Sequence, residues 1–329
     1  MTCTRKTKFT ISIAVVTRII LGVTFLILEK YVEPFQRVIL PDELKTYTYP
    51  KQNDTVEVWV VLLIALVLPL LCFSISIFIY QIELKSFSQA SKQSSEPQVQ
   101  KSFFKTWFIW GDFLDLFLSY SLCLTLTGVA TDFIKVFYGR PRPDFFNRCF
   151  PSVDIYDNSA VATKLETIAN GKLNFQCEPQ IDDYILRNGR MSFVSGHSSF
   201  AFAAGVYVSF YIWGNSKAFQ VGGFGESWRF LLGLPSLFFS FYVMISRRSD
   251  NRHHSEDVVW GAVLGSVIAV VSYLIYYPKL TCKFSNFSHR QMQWIVDDKR
   301  SFDSDVELAD GQQKVLKRRT ILKQHLEKF

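Results

Sequence analysis

Three short stretches of the chain carry the residue types that bind phosphate. They read "KVFYGRPRPDFF" at 135–146, "SFVSGHSSF" at 192–200 and "SRRSDNRHHSED" at 246–257. The guanidinium groups of Arg142 and Arg247 can each meet two phosphate oxygens, and the ammonium group of Lys135 adds a point charge. Together the three stretches predict a phosphate site.

The second stretch adds neutral donors to this set. Ser195 and Gly196 stand at the start of an apolar run that predicts a helix. Free backbone amides and the positive end of the helix dipole favour an anion at such a position. The Ser195 hydroxyl is a further donor, and glycine lets the backbone approach a ligand closely.

The histidines and one carboxylate provide reacting groups. His197, His253 and Asp257 offer a nucleophile, an acid and an orienting group. If residues 253–257 are helical, the i, i+4 spacing places Asp257 beside His253. A carboxylate there fixes the tautomer of the imidazole and stabilises the imidazolium.

Two of these assignments have a competitor next to them. Arg140 and Arg142 both precede a proline, and His254 directly follows His253. Residue type alone does not choose between the members of either pair. A single arginine or lysine at a membrane edge is also more often an interfacial anchor than a ligand.

Long apolar runs must position these groups. Of the 329 residues, 49% are hydrophobic, and several runs reach the roughly 20 residues that cross a hydrocarbon core about 30 Å thick. Backbone groups in lipid must pair with one another, so these runs predict helices. We predict an all-α integral membrane protein with six transmembrane helices, at 9–28, 58–80, 107–129, 194–213, 230–245 and 258–277.

The number of helices places the polar stretches on one face. The loops between helices three and four and between helices five and six lie on the same side of the membrane. The distribution of Lys and Arg weakly favours cytosolic termini, which puts the predicted site at the non-cytosolic face. The predicted organisation is a cytosolic amino end at 1–8, a membrane domain at 9–277 and a charged cytosolic tail at 278–329.

Composition also limits the classes of partner that we expect for the protein. The net charge of +7 suits anionic lipids or nucleic acid. Because no soluble basic domain is apparent, we predict the bilayer and its lipids as partners and no nucleic acid. The Ser/Gln-rich segment 86–100 predicts a flexible loop, and the basic amphipathic end of the tail predicts contact with lipid headgroups.

The three stretches resemble the signature of the type 2 phosphatidic acid phosphatase family. That signature is Lys-x6-Arg-Pro, then Pro-Ser-Gly-His, then Ser-Arg-x5-His-x3-Asp. The chain has Lys135 to Arg142-Pro143, Ser195-Gly196-His197, and Ser246-Arg247 to His253 to Asp257. The resemblance covers 9–277 and is strongest to the phospholipid phosphatase 4/5 branch, in "EPFQRVILPDEL", "GRPRPDFFNRCFP" and "SGHSSFAF". Val194 stands where the family usually has proline, a change that removes no reacting group.

The resemblance implies a role for each residue. His253 attacks phosphorus and becomes phosphohistidine, Asp257 orients it, and His197 protonates the leaving alcohol. The phosphoryl oxygens are bound by Lys135, Arg142, Ser195, Gly196 and Arg247. Because these cations take the part of magnesium, no metal or other cofactor is expected.

The resemblance also implies the substrate class. The expected substrates are phosphatidate, lysophosphatidate and diacylglycerol pyrophosphate, and the products are a dephosphorylated lipid and phosphate. A phosphotransferase of the same fold and a non-catalytic scaffold remain as alternatives. Whether the chain works alone or as a homo-oligomer stays open.

The cysteines and glycosylation sequons give further expectations. Cys149 and Cys177 both lie in the predicted non-cytosolic third loop, where disulfides persist, and we predict that they pair. Reduced thiols are expected at Cys3, Cys72, Cys123 and Cys282. Five predicted helices separate the sequons at Asn53 and Asn286, so these asparagines should face opposite sides of the membrane.

Overall fold

The chain folds mostly into helices. The computed structural model describes residues 2–67, 69–74, 98–153, 164–167, 173–293 and 296. The helices are α1 (Thr2–Lys30), α2 (Val58–Ser74), α3 (Gln98–Tyr138), α4 (Phe145–Cys149), α5 (Asp183–Gly189), α6 (Gly196–Asn215), α7 (Ser227–Leu231), α8 (Leu234–Ser249) and α9 (Ser255–Tyr276). There are also 3-10 turns at Pro41–Thr46 and Val221–Gly223.

One small sheet corrects the all-α expectation. Strands β1 (Glu166–Thr167) and β2 (Leu173–Asn174) pair antiparallel, with Glu166 opposite Asn174 and Thr167 opposite Leu173. Both strands lie in the long loop between α3 and α6. The predicted flexible loop at 86–100 lies outside the described residues up to 97, and residues 98–100 already belong to α3.

Within the described residues, four helical segments are long and apolar enough to cross a membrane. They are Phe9–Lys30, Gly111–Tyr138, Ser227–Ser249 and Ser255–Tyr276. The protein is therefore a mostly helical, multi-pass membrane protein. The fifth predicted span is longer than the sequence indicated, because α7 and α8 extend it at both ends.

The other two predicted spans correspond to α2 and α6. The described part of α2 is a shorter apolar helix, and the predicted end of that span at residue 80 lies outside the described residues. Helix α6 has 20 residues, but Ser198, Ser199 and Ser209 reduce its apolar character. The basic end of the tail, at 314–329, also lies outside the described residues.

The chain forms two compact units. Unit 1 comprises Met1–Pro69, Ser121–Val208 and Leu234–Val271, and unit 2 comprises Leu70–Tyr120, Ser209–Gly233 and Ser272–Phe329. All three polar stretches lie in unit 1. In unit 2, two acids of α3 accept hydrogen bonds: Tyr211 donates to the half-buried Asp112 (3.0 Å), and Ser288 donates to the buried Asp115 (2.6 Å), which also pairs with Arg290 (2.8 Å).

Glycines let α9 pack directly on the backbone of α6. A Cβ atom at Gly265 would lie 2.1 Å from the carbonyl oxygen of Ser199, and one at Gly261 would lie 2.6 Å from that of Ser195. The two backbones are thus in contact over one helical turn. This contact sets the position of the start of α6 relative to the start of α9, where the second and third polar stretches lie.

We expect Gly265→Ala to destabilise the protein. The added methyl group overlaps a backbone oxygen, and overpacking of this kind typically costs about 1–3 kcal/mol. The measurement is the thermal unfolding midpoint of the purified protein in detergent. Gly22→Ala is the matched control, because a Cβ atom at Gly22 in α1 has nothing within 4 Å. Equal midpoints for the two variants would contradict the packing described.

The third loop is closed by a disulfide bond between Cys149 and Cys177, which confirms the predicted pairing. The side chains of Cys72, Cys123 and Cys282 form no disulfide bond within the described residues, as expected, whereas that of Cys3 lies outside the described side chains. The region around the disulfide has an aromatic core of its own, in which Phe145, Phe146 and Phe150 are buried with Ile39 and Tyr47.

This aromatic core attaches the loop after α1 to the loop after α3. The Phe146 amide donates to the Tyr47 carbonyl (3.1 Å), and the Tyr49 amide donates to the Pro143 carbonyl (2.9 Å). Residues 50–57 follow directly. The attachment therefore brings the segment before α2 to the polar stretches.

Candidate active site

The predicted site residues lie at the ends of helices in unit 1. Lys135 is in the last turn of α3 and Arg247 in the last turn of α8. Gly196 is the first residue of α6, and His253 lies two residues before α9. Arg142 lies in the loop after α3. Helix ends place these polar groups where the apolar bodies of the helices stop.

Distances show that these ends converge. A Cβ atom at Gly196 would lie 3.1 Å from Nζ of Lys135. Nη1 of Arg247 lies 3.4 Å from Nε2 of His197. Residues from α3, α6 and α8 that are at least 50 positions apart in the chain therefore share one small volume.

The His253 ring has one bonded and one free nitrogen. Its Nδ1 lies 2.8 Å from the carbonyl oxygen of Ser192, which can only accept, so Nδ1 carries the proton. Nε2 then presents a lone pair, and it has no hydrogen bond to any residue that the structure describes. Burial, and then the charge of Arg142, hold the pKa of His253 well below its ordinary value. A neutral imidazole with a free Nε2 can act as a nucleophile.

Asp257 lies near His253 but does not bond to it directly. Its Oδ2 is 3.9 Å from Nδ1 of His253, beyond hydrogen-bonding distance. Oδ2 instead accepts hydrogen bonds from the Ser192 hydroxyl (2.6 Å) and the His254 amide (3.0 Å). Helix α9 begins at Ser255, so the helical i, i+4 geometry expected for residues 253–257 is not formed. Ser192 connects the carboxylate to the imidazole.

The structure distinguishes the two arginines before proline. Arg140 donates to both Glu256 (2.9 Å) and Asp257 (2.8 Å), so its charge is compensated. Arg142 uses only Nε, which donates to the Asn188 carbonyl (2.9 Å), and its terminal nitrogens have no hydrogen bond within the described part of the chain. Burial, with the nearby cation Arg148, lowers the pKa of Arg142 to about 10, so it stays charged at neutral pH.

The structure also distinguishes the two adjacent histidines. Nδ1 of His254 lies 3.1 Å from Asp257, and Nε2 lies 3.3 Å from the carbonyl oxygen of Thr46. Both nitrogens of His254 are therefore occupied, whereas Nε2 of His253 is free. These contacts leave Arg142 and His253, the residues that the family spacing selects, with nitrogen atoms available to a ligand.

The start of α6 differs in one detail from the expectation. The Ser195 amide donates to the carbonyl oxygen of Asp257 (3.0 Å), so it is not available to a ligand. The Ser195 hydroxyl is buried and has no partner among the described residues, and neither has the amide of Gly196. Nζ of Lys135 lies nearby and donates to Asp132 (3.1 Å). A hydroxyl, an amide and an ammonium group therefore remain for an oxyanion.

Comparison with known families gives a clear result. The model of the PAP2 superfamily matches residues 116–280, which include all eight predicted site residues. The chain belongs to the PAP2 superfamily. The family resemblance drawn from the three polar stretches is thus confirmed, whereas the assignment to the 4/5 branch stays a prediction.

Curated members of the PAP2 superfamily are similar over most of the chain. Lipid phosphate phosphatase 2 of Arabidopsis thaliana is 31% identical over 88% of this chain and 84% of its own length. Phospholipid phosphatase 1 of Rattus norvegicus is 32% identical over 81% of this chain and 85% of its own length. The probable diacylglycerol pyrophosphate phosphatase 1 of Schizosaccharomyces pombe is 33% identical over 52% of this chain and 55% of its own length. No solved structure matches the chain.

Two acids that the sequence reasoning missed hold Arg247. The Arg247 side chain is only 1% exposed, and it donates to Asp54 (2.8 Å) through Nη1 and to Asp250 (2.7 Å) through Nη2. Asp250 also accepts from the amide (2.8 Å) and hydroxyl (2.5 Å) of Thr55. Asp54 and Thr55 belong to the segment before α2, outside the matched PAP2 region. Topology was the available signal. The loop between predicted helices one and two, which contains Asp54, lies on the same face as the loop between helices five and six, which contains Arg247.

Proposed function

We propose that the protein hydrolyses lipid phosphate monoesters through a phosphohistidine at His253. The observation that carries this proposal is the free Nε2 of a buried, neutral His253, near which the terminal nitrogens of Arg142 and the hydroxyl of Ser195 have no partner among the described residues. The names of the PAP2 relatives support it, since they describe phosphatases of lipid phosphates. The substrates we propose are phosphatidate, lysophosphatidate and diacylglycerol pyrophosphate.

In the first step, the phosphoryl group is transferred to the enzyme. Nε2 of His253 forms a bond to phosphorus while the bond from phosphorus to the lipid oxygen breaks. Burial, and then the charge of Arg247, lower the pKa of His197 to about 3 in the free enzyme, so His197 must gain its proton when the anionic phosphate binds beside it. The protonated His197 then gives that proton to the oxygen, which leaves with the bonding electrons. The charge that develops on the His253 ring is stabilised by the Ser192 carbonyl and by Asp257 beyond it.

In the second step, water attacks phosphorus and the bond to His253 breaks. His197, now neutral, takes the proton from this water, which restores both histidines and releases phosphate. Throughout, the phosphoryl oxygens are held by Lys135, Arg142, Arg247 and the donors at the start of α6. Preorganised donors of this kind stabilise the transition state without reorganising.

The proposal needs no metal, because fixed cations provide the charge. Its test is an assay of the purified full chain against a panel of lipid phosphates in the presence of EDTA. We expect release of inorganic phosphate and an acid-labile phosphoenzyme. Transfer of phosphate to an added alcohol without any hydrolysis would favour a phosphotransferase, and complete loss of turnover with EDTA would contradict the metal-independent mechanism.

The proposed topology has six spans, with α2 and α6 completing the four apolar helices. Both termini then face the cytosol, and the site opens at the non-cytosolic face at the level of the lipid headgroups. The disulfide between Cys149 and Cys177 supports this orientation, since disulfides persist in oxidising compartments. A site at that level suits a phosphate that is already attached to a membrane lipid.

Glycosylation reports this orientation. When the chain is expressed in eukaryotic cells, we expect a glycan on Asn53, which is exposed, and none on Asn286. The measurement is the shift in gel mobility on glycosidase treatment, with Asn53→Gln as the control that removes it. A glycan on Asn286 would invert the topology and place the site in the cytosol.

A further inference from the structure

Two arginines converge on one carboxylate at the edge of the site. Oδ1 of Asp54 accepts from Nη1 of Arg247 (2.8 Å) and from Nε of Arg252 (3.0 Å), and its Oδ2 accepts from Nη2 of Arg252 (3.1 Å). Arg252 therefore binds both carboxylate oxygens in the bidentate manner that guanidinium groups use for phosphate. The Asp54 carboxylate marks a position that favours an oxyanion.

This position lies on the side where the leaving group departs. The Nη1 group of Arg247 that binds Asp54 also lies 3.4 Å from Nε2 of His197, the proposed proton donor to the leaving oxygen. Burial, and then the charge of Arg247, lower the pKa of His197, and the carboxylate of Asp54 acts against this lowering. An anion that replaced the carboxylate would therefore be part of the leaving group and not the phosphoryl group attacked by His253.

The surroundings allow such a replacement. The Asp54 side chain is 31% exposed, whereas the Arg252 side chain is 13% exposed and has a second acid, Asp144, at 3.5 Å. Asp54 lies in the segment before α2, while Arg252 lies between α8 and α9. If the Asp54 carboxylate moved aside, Asp144 would still contact Arg252, and Nε and Nη2 of Arg252 would be available to an incoming oxyanion.

We propose that Arg252 is a specificity-determining residue that binds the leaving phosphate of a lipid diphosphate, at the position that Asp54 occupies in the free enzyme. This inference rests on the proposed function and names a substrate preference within it. In the reaction, Nε2 of His253 bonds to the terminal phosphorus and the bridging P–O bond breaks. The bridging oxygen leaves with the bonding electrons as part of the lipid-bound phosphate, whose charge Arg252 neutralises. Water then releases the terminal phosphate from His253.

The test compares inorganic pyrophosphate with inorganic phosphate as ligands of the purified full chain. Phosphate alone is held by Arg142, Lys135 and Arg247, whereas pyrophosphate also reaches Arg252. We expect Arg252→Gln to weaken binding of pyrophosphate about tenfold or more and binding of phosphate much less, because a charge-assisted pair is lost. Asp54→Asn should leave the preference for pyrophosphate unchanged or increase it, because no carboxylate has to be displaced.

A neighbouring arginine is the matched control. Arg248 is exposed at the end of α8, and its guanidinium lies 5.8 Å from the centre of the Tyr49 ring. Arg248→Gln removes the same charge and should leave the ratio of the two dissociation constants unchanged. The inference is overturned if Arg252→Gln weakens the binding of both anions equally, or if Arg248→Gln changes the ratio of their dissociation constants as much as Arg252→Gln does. It is also overturned if Asp54→Asn lowers the preference for pyrophosphate.

Turnover separates this inference from the proposed function. The ratio of kcat/KM for diacylglycerol pyrophosphate to that for phosphatidate should fall about tenfold or more in Arg252→Gln. A purely structural defect would lower both values together, which would count against the inference. If the wild-type chain hydrolyses neither lipid while the binding ratios change as expected, the proposed function fails and the pyrophosphate site stands.

Discussion

Replacing His253 with alanine is expected to abolish both turnover and the acid-labile phosphoenzyme. The lone pair on Nε2 of His253 is the proposed nucleophile, so no covalent intermediate can form without this ring. The measurements are phosphate release from phosphatidate and trapping of radiolabelled enzyme after acid quench. The change concerns one imidazole in a buried site, so the melting temperature of the variant must be recorded beside its activity.

His254→Ala is the matched control for this experiment. His254 bonds to Asp257 through both its amide and its Nδ1, and its amide remains in the variant. We therefore expect a reduced rate but a phosphoenzyme that still forms. If the phosphoenzyme instead persisted in His253→Ala and disappeared in His254→Ala, the nucleophile would be the neighbouring residue, and the family spacing would be misleading for this chain.

Replacing His197 with alanine is expected to have an effect that depends on the leaving group. The alkoxide of phosphatidate needs a proton as it departs, and a general acid contributes about 10²- to 10⁴-fold to such a step. Hydrolysis of phosphatidate should fall by that factor in His197→Ala. The hydrolysis of a nitrophenyl phosphate, whose leaving group needs no proton, should slow much less. The measurement is kcat/KM of both substrates for the wild type and the variant.

Arg247→Ala provides the contrast to His197→Ala. Arg247 is proposed to hold the phosphoryl group, which both substrates share, so its loss should slow both substrates to a similar extent. The comparison requires that the nitrophenyl ester reaches the site, which its turnover by the wild type will establish. Equal losses on both substrates in His197→Ala would assign His197 to phosphate binding or to structure, and not to acid catalysis.

The local chemistry of the site was readable because each part lies within a short stretch. Lys135 and Arg142 are seven residues apart, Ser195 to His197 are consecutive, and Arg247 and His253 are six apart. Spacing of this kind is visible without any tertiary information. The apolar runs that flank these stretches then predict that each one emerges at the end of a helix.

The contacts that control Arg247 and His253 were not readable in this way. Asp54 and Arg247 are 193 residues apart, and nothing in "NDT" distinguishes this acid from the other acids in the loops. The partner of Nδ1 of His253 is the backbone carbonyl of Ser192, and every residue in the chain has such a carbonyl. Only the packing of α6 against α9 brings that particular carbonyl to the imidazole.

The sequence alone determined that the chain is a helical membrane protein of this family, with a disulfide in its third loop. The helices follow from a local property, because apolar runs must be helical in lipid. The family follows from a resemblance in residues at short spacings, and the disulfide was predicted from the side of the membrane on which the third loop lies. The family spacing had selected Arg142 over Arg140 and His253 over His254, and only the tertiary structure gives a physical reason for that choice. The members of each pair have the same chemistry and nearly the same position in the chain. They differ in what they contact. Asp257 forms an ion pair with Arg140 and binds His254, whereas Arg142 has no acid bonded to its terminal nitrogens within the described residues and His253 has a free nitrogen.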